Sequence, residues 1–417
     1  MSGGGASLRN RCCLIATSAF FAVAGDAAGQ DAAGQSELEP APKRPVVGDW
    51  TLQARVEATY DTNVFRLSDD SIDRLRADVP ADRTSGRFDD MNTPQDVYLE
   101  AELALRRRFT DSEGDDFRIR PGIRLLEYFN NPRKTHPEFF LEMSQELQPA
   151  TTLAFDTEYR KDVFVGNYFA DAVDLVGSVS DDERRYEPGV YDQWSASMTL
   201  EQRLWRRSKE SSEVWRTLGV RRVDLDAEVG AARRWYYAPF SNRDMERVSA
   251  RVRLAAQVFT HWDASVEYRF DRDRTDHGFE PMIRDEDDFD VDFNGDGDRV
   301  DQDVRAVERV DRSRNQQTFE ARLSWEFATH WSIGVRGTMR VQDYLSDEPF
   351  DATYRDRLDR AHELRCDLKW AFLTGSEAYV SAGWAREQSN RDAATTLEDQ
   401  DIDYQYRFVG LGVRMRF

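Results

Sequence analysis

Two things are scarce in this 417-residue chain: cysteine and uninterrupted apolar sequence. Of its three cysteines, Cys12 and Cys13 stand near the start and Cys366 far downstream. Arg9 and Arg11 precede the apolar run CCLIATSAFFAVA (12–24), and Ala22-Val23-Ala24 fits a small-residue cleavage site, so residues 1–24 read as a secretory signal peptide. Cleavage would leave Cys366 alone, which excludes an intrachain disulfide and argues against a lipid-attachment cysteine. Beyond the signal no stretch approaches the roughly 18 apolar residues of a membrane-crossing helix. Basic charge is also short: 57 Lys and Arg face 78 Asp and Glu, for a net charge of -21, and no basic aromatic platform suited to nucleic acid is visible. The five histidines (His136, His261, His277, His330 and His362) stand beside no recognisable nucleophile motif, so the chain is not expected to be an enzyme.

By mean hydropathy (-0.72) this is an acidic, water-soluble protein. Hydropathy misses one class, however, because a membrane-spanning β-barrel needs only every second residue to be apolar. That rhythm runs through the chain. Trp50, Leu52, Ala54, Val56 and Ala58 alternate with Thr51, Gln53, Arg55 and Glu57. Val97 to Leu105, Leu153 to Tyr159, Trp194 to Leu200, Val223 to Ala231, Val248 to Val258 and Trp262 to Phe270 repeat it. So do Phe319 to Phe327, Trp331 to Val341, Leu364 to Phe372, Ala378 to Trp384 and the terminal Val409-Leu411-Val413-Met415-Phe417. With weaker stretches near 117–127 and 139–147, the count is about fourteen strands, 12 to 16 being compatible, each near the ~9–11 residues of a tilted span.

The connections alternate between short and long. Short ones fall at 110–116, 148–152, 203–215, 259–261, 328–330 and 373–377; long polar ones at 61–93, 130–137, 166–190, 237–244, 271–314, 342–360 and 386–402. An even strand number with loops sorted by length predicts an all-β, antiparallel, up-and-down transmembrane barrel over 49–417. Residues 25–48 then form a flexible lead-in, 271–314 a long acidic extracellular loop, and both termini lie in the periplasm of a bacterial outer membrane. The paired motifs VFTHW (258–262) and FATHW (327–331) would place Trp262 and Trp331 in an interfacial aromatic belt. Tyr404, Tyr406 and Phe408 do not fit the alternation, for they share the inward parity; a bulge or an upper aromatic girdle is expected there.

The inward parity is ionic. Arg118, Arg120 and Arg124 share one strand; Arg160, Arg251, Arg253 and Arg269 stand on others, followed by Arg322, Arg336, Arg340 and Arg365. These are the candidate pore-lining residues, and as open arginine ladders they would attract anionic solutes. Glu158, Glu267, Glu320, Glu363 and Asp367 lie on the same parity, and acid–base pairing that merely braces the lumen is the competing reading.

The stretch WTLQARVEATYDTNVFRLSDD (50–70) resembles the opening strand of β-barrel porins found with exopolysaccharide export systems. The resemblance implies a channel for polar or anionic solutes, with a link to polysaccharide export. A similar Tyr-Asp-x-Asn entry occurs in the barrels of surface-lipoprotein assembly modifiers, but those carry a helical repeat domain that 25–48 is too short to hold. The final strand, ending on Phe417, resembles the terminal signature of outer-membrane barrels, which implies recognition by the barrel-assembly machinery, with lipid and lipopolysaccharide as surroundings. In the longest loop, DVDFNGDGDRVDQD (290–303) resembles the calcium loop of EF-hand and dockerin modules. On that resemblance Asp292, Asn294, Asp296 and Asp303 supply side-chain oxygens, Asp298 its carbonyl, and Gly297 the sharp turn. Two other roles fit the same residues: a non-conducting surface scaffold or adhesin acting through acidic calcium-binding loops, and a protein-secretion helper.

Overall fold

The computed structural model describes residues 46–48, 50–76, 91–110, 116–169, 186–206, 219–238, 240–275, 278–281, 307–346, 354–390 and 403–417. Fourteen strands form one closed antiparallel barrel. They are β1 (Thr51–Asp61), β2 (Asp96–Thr110), β3 (Asp116–Tyr128), β4 (His136–Gln148), β5 (Thr151–Phe169), β6 (Tyr186–Arg206) and β7 (Val220–Tyr236). The circuit continues with β8 (Met245–Val258), β9 (Trp262–Thr275), β10 (Arg314–Ala328), β11 (Trp331–Tyr344), β12 (Leu358–Leu373), β13 (Ser376–Ser389) and β14 (Tyr404–Arg416). Each strand pairs with its sequence neighbours, and β14 returns to β1, where Val413 lies opposite Val56. Closure leaves no free edge, as a hydrocarbon environment requires. One helix, α1 (Asp69–Arg76), interrupts the connection after β1, and no helix among the described residues is long and apolar enough to cross a membrane.

The side-chain distribution is the reverse of a soluble core. Val56, Leu103, Val229, Val266, Leu323, Leu364 and Leu411 are exposed on the outside, whereas Glu57, Thr59, Asp271, Asp273 and Asp359 are buried on the inside. On β10 the outward residues Phe319, Leu323, Trp325 and Phe327 are exposed, and Asn315 and Gln317 continue the same face as polar side chains. Eight rises of about 3.4 Å, shortened by strand tilt, give a belt roughly 20–25 Å tall, the thickness of an outer-membrane hydrocarbon layer. Trp262 stacks on Trp325 (5.2 Å between ring centroids) and Trp331 on Trp370 (5.8 Å), both beside short turns at one edge of this belt. The chain is a transmembrane β-barrel of the outer-membrane kind.

Strands outrun their apolar stretches at the long-loop end. β9 continues to Thr275 and β10 begins at Arg314, so the connection is shorter than 271–314; β11 likewise reaches Tyr344 and β13 Ser389. Apolar alternation stops where lipid stops, while the backbone ladder carries on above it. At the short-turn end, register shifts occur between Glu146 and Gln148, Arg203 and Trp205, Glu326 and Ala328, and Ala371 and Leu373. These bulges let short turns close strongly twisted hairpins.

Candidate functional site: the lumen and its two mouths

Inward residues are set by register. Arg55 lies opposite Glu102, Glu102 opposite Arg124, and Arg124 opposite Glu138, and so on around the barrel. All eleven arginines predicted from parity stand on this face, but they do not form open ladders. Arg124 reaches Glu138 at 2.7 Å, Glu102 at 3.1 Å and Glu100 at 3.5 Å. Arg120 is held by Glu102, by Glu142 at 2.5 Å and by the Gln53 amide oxygen at 2.9 Å. Arg160 pairs with Glu158 (2.5 Å) and Glu138 (3.1 Å), Arg251 with Glu228 (2.5 Å), and Arg253 with Asp226 (3.3 Å). Arg269 meets Asp271 at 2.9 Å, Arg322 meets Glu320 at 3.0 Å, and Arg336 meets Glu363 at 3.4 Å. Arg340 binds Glu387, Arg365 binds Asp367 at 2.8 Å, and Arg118 meets Asp116 at 3.4 Å. Alternating acid and base therefore brace the wall, some paired across neighbouring strands and others two residues apart along one strand.

The inward aromatic run on β14 needs no bulge, for its pairings with β13 and β1 are in continuous register. Phe408 lies over Gly383, where a Cβ would come within 2.3 Å of its ring. The same arrangement recurs between Phe140 and Gly122 (2.2 Å) and between Tyr379 and Gly412 (2.4 Å). Each ring covers a glycine directly opposite it and occupies the space that a side chain would need. Arg365 stacks on Phe408 from the lumen side, 5.6 Å from its centroid.

The long-loop mouth is partly roofed. Val64, Phe65, Leu67 and Ile72, from the segment after β1, form an apolar cluster with Met91 and Phe164 of β5, against which Tyr128 of β3 and Val190 of β6 pack. At its other end the segment touches β14: Arg66 lies 3.5 Å from the Tyr406 ring centroid, and the Asn63 amide donates to the Gln405 carbonyl at 3.2 Å. A segment that touches β14, β3, β5 and β6 crosses the rim on the lumen side. Arg66 also binds Asp61 (2.8 Å), and Asn63 ties Leu67 through both its amide groups. Asn131, fully buried, holds the returning arm through Asn92, Thr93 and Asp96.

Lys134, in the turn between β3 and β4, fastens this roof from the opposite side. Its ammonium donates to the Val64 carbonyl at 2.8 Å and lies over the Phe65 and Tyr128 rings. Burial, aided by Arg66, pushes the amine down to about 7 against the opposing pull of Asp61 and Asp96. A second inward contact lies across the mouth, where Arg312 donates to the Tyr354 hydroxyl at 2.9 Å and Arg357 stacks on the Tyr344 ring.

Parity missed two kinds of residue. The roof depends on contacts between positions about a hundred residues apart, which no local pattern reports. Arg106 and Arg416 carry the inward parity, and their pattern was legible, but their distinction appears only after pairing: unlike the eleven above, neither has a carboxylate partner among the described residues. The candidate calcium ligands Asp292, Asn294, Asp296, Asp298 and Asp303, the signal peptide and most of the lead-in lie outside the described residues.

No protein-family model matches the sequence, and no curated protein matches it. Among solved structures, the chain is similar to the outer membrane channel DcaP of Acinetobacter baumannii at 9% identity, covering 90% of this chain and 98% of that one with a TM-score of 0.40. It is similar to a bacterial polysaccharide outer membrane secretin at 9% identity (87% and 98% covered, TM-score 0.40). An anion-selective porin from Comamonas acidovorans is similar at 10% identity (90% and 100% covered, TM-score 0.36). Likeness this loose says nothing of what any of them would share with this chain beyond barrel form.

Proposed function

We propose that this protein is a passive outer-membrane channel for small polar solutes, anions among them, with its short turns and both termini in the periplasm. One observation carries the reading: beneath the apolar roof, the inward face is overwhelmingly polar. Below the bulges of β5, the inward positions are charged, hydroxyl, amide, glycine, alanine or aromatic residues; Leu126 and Met245 are the large aliphatic exceptions. A dry plug would leave such groups desolvated at several kcal/mol per charge, whereas a water-filled lumen does not. Fourteen strands also enclose more space than the eight whose side chains suffice to fill a barrel. In this reading the 292–303 loop holds calcium outside the membrane and orders the extracellular surface.

The extensive ion pairing and the roofed mouth favour a second reading, a barrel that does not conduct and serves as a surface scaffold. Single-channel recording of the refolded mature chain in a planar bilayer separates the two. Steady openings that follow the salt concentration are expected, altered by chelation of calcium. A correctly folded barrel that stays silent with and without chelator overturns the channel reading.

A further inference from the structure

The periplasmic end of the lumen is electrostatically unlike its middle. Arg124, Arg251, Arg253, Arg336 and Arg365 each face a carboxylate, whereas Arg106 and Arg416 face none among the described residues. Arg106 lies opposite Thr51 on one side of β1, and Arg416 lies opposite Gln53 on the other. Two strand spacings and a two-residue stagger along the strands, about 12 Å together, separate their backbones. Arg106 is within electrostatic reach of Arg118, Arg416, Arg120 and Arg108, all of one sign. Asp116 is shared between Arg108 and Arg118, so it cancels only one of their two charges.

The polar groups around the pair also point the same way. Gln53 sits between them, and its amide oxygen is already taken by Arg120, which leaves its NH2 to donate. The stem of Arg416 rests on the β12–β13 turn at Gly375, where a Cβ would lie 3.2 Å from it and where the backbone is left-handed (φ +79°). Among the described residues, Arg106 and Arg416 thus add two guanidiniums without a carboxylate partner to the NH2 donor of Gln53. Clustered guanidiniums repel one another, and an oxoanion relieves that repulsion while accepting their forked N–H groups.

We propose that Arg106 and Arg416, with Gln53 between them, form an anion-capture site at the periplasmic mouth, selective for solutes bearing a carboxylate or phosphate group. Its use in transport rests on the channel reading; the site itself does not. Placed at that mouth, it concentrates anions from the periplasm ahead of the near-neutral lumen.

The test is isothermal titration of the folded full-length mature barrel with citrate and, separately, with inorganic phosphate at low ionic strength. Binding that weakens with added salt is expected, and the stronger of the two probes identifies the group recognised. The R106Q/R416Q double variant should lose at least tenfold in affinity, while R233Q, which removes one outward-facing charge, should bind as the parent does. A parent that binds neither probe, or a folded double variant that binds as well as the parent, overturns the proposal. In oriented bilayers citrate should block current at a tenfold lower concentration from the periplasmic side. A silent barrel that still binds citrate through these arginines refutes the channel reading alone; a conducting barrel that binds neither anion refutes this site alone.

Discussion

The ammonium of Lys134 donates to the carbonyl of Val64 at 2.8 Å, fastening the turn between β3 and β4 to the segment that roofs the long-loop mouth. Arg66, Asp61 and Asp96 are the charged groups that act on it, and the Phe65 and Tyr128 rings enclose it. The amine is held down to about 7 when fastened and returns to near 10.4 when the segment lifts into water. Between those values the lifted state binds more protons, so the fastened state gains stability as pH rises, by at most about 1.4 kcal/mol per unit. Below about 7 both states are protonated and the dependence ends. Open-channel occupancy should therefore fall as pH is raised from 7 to 10 and be flat from 7 to 6. K134M should abolish the slope, and an unchanged slope in that variant would show that another group sets it.

Phe65 meets Phe164 edge to face at 6.2 Å, and both are buried in the same cluster. Truncating a buried phenylalanine costs about 3–5 kcal/mol, here drawn from the roof and not from the barrel. F65A should raise conductance and expose the 62–76 segment to protease while thermal unfolding of the barrel changes little.

Asp273 has no exposed side-chain surface and takes two arginines at once, Arg247 at 2.6 Å and Arg314 at 3.0 Å. D273N leaves two guanidiniums facing each other across β9. Both arginines keep some exposure to water, so the loss should sit at the lower end of the ~3–5 kcal/mol seen when one partner of a buried pair is removed. Urea unfolding followed by tryptophan fluorescence should show that loss for D273N. D367N, whose partner Arg365 lies on a wetter wall, should lose under about 1 kcal/mol.

Strand number and parity were legible because lipid and water impose a two-residue period that any window of ten residues reports. Trp325 outward and Glu326 inward follow from that alone. Three things were not legible. Strand ends above the membrane carry no apolar signal, so Asp271 and Asp273 read as loop although they close β9. The inward Tyr406 and Phe408 looked like a break in pattern because the glycine that accommodates Phe408 is on another strand. The arginines were readable as inward, but Arg124 and Arg106 look alike until register brings Glu102 and Glu138 to the first and, among the described residues, no carboxylate to the second.

Gly383 is constrained by Phe408: an added Cβ would meet the ring at 2.3 Å and the Leu364 carbonyl at 2.9 Å. Because backbone as well as side chain blocks the methyl group, relaxation is expensive and G383A should destabilise the barrel by about 1–3 kcal/mol. G337A is the contrasting case, since nothing lies within 4 Å of a Cβ there, and it should be tolerated. Urea midpoints of the two variants, measured in the same lipid, should separate accordingly. Restoring most of the G383A loss with F408A would assign the cost to this one contact.

Ion selectivity should respond to broken pairs more than to total charge. Arg124 sits among Glu100, Glu102, Glu138 and Glu158, so removing its charge frees several carboxylates at one height in the lumen. R124Q should move the reversal potential toward cation preference, whereas E102Q, which releases Arg120 and Arg124 from one shared partner, should move it toward anions. The double variant R124Q/E102Q should lie between the two, since the local charge is largely restored. If all three variants kept the parent's reversal potential, permeating ions would not pass this ring of charges, and the path would have to lie along the opposite wall, where Arg322 meets Glu320 and Arg336 meets Glu363.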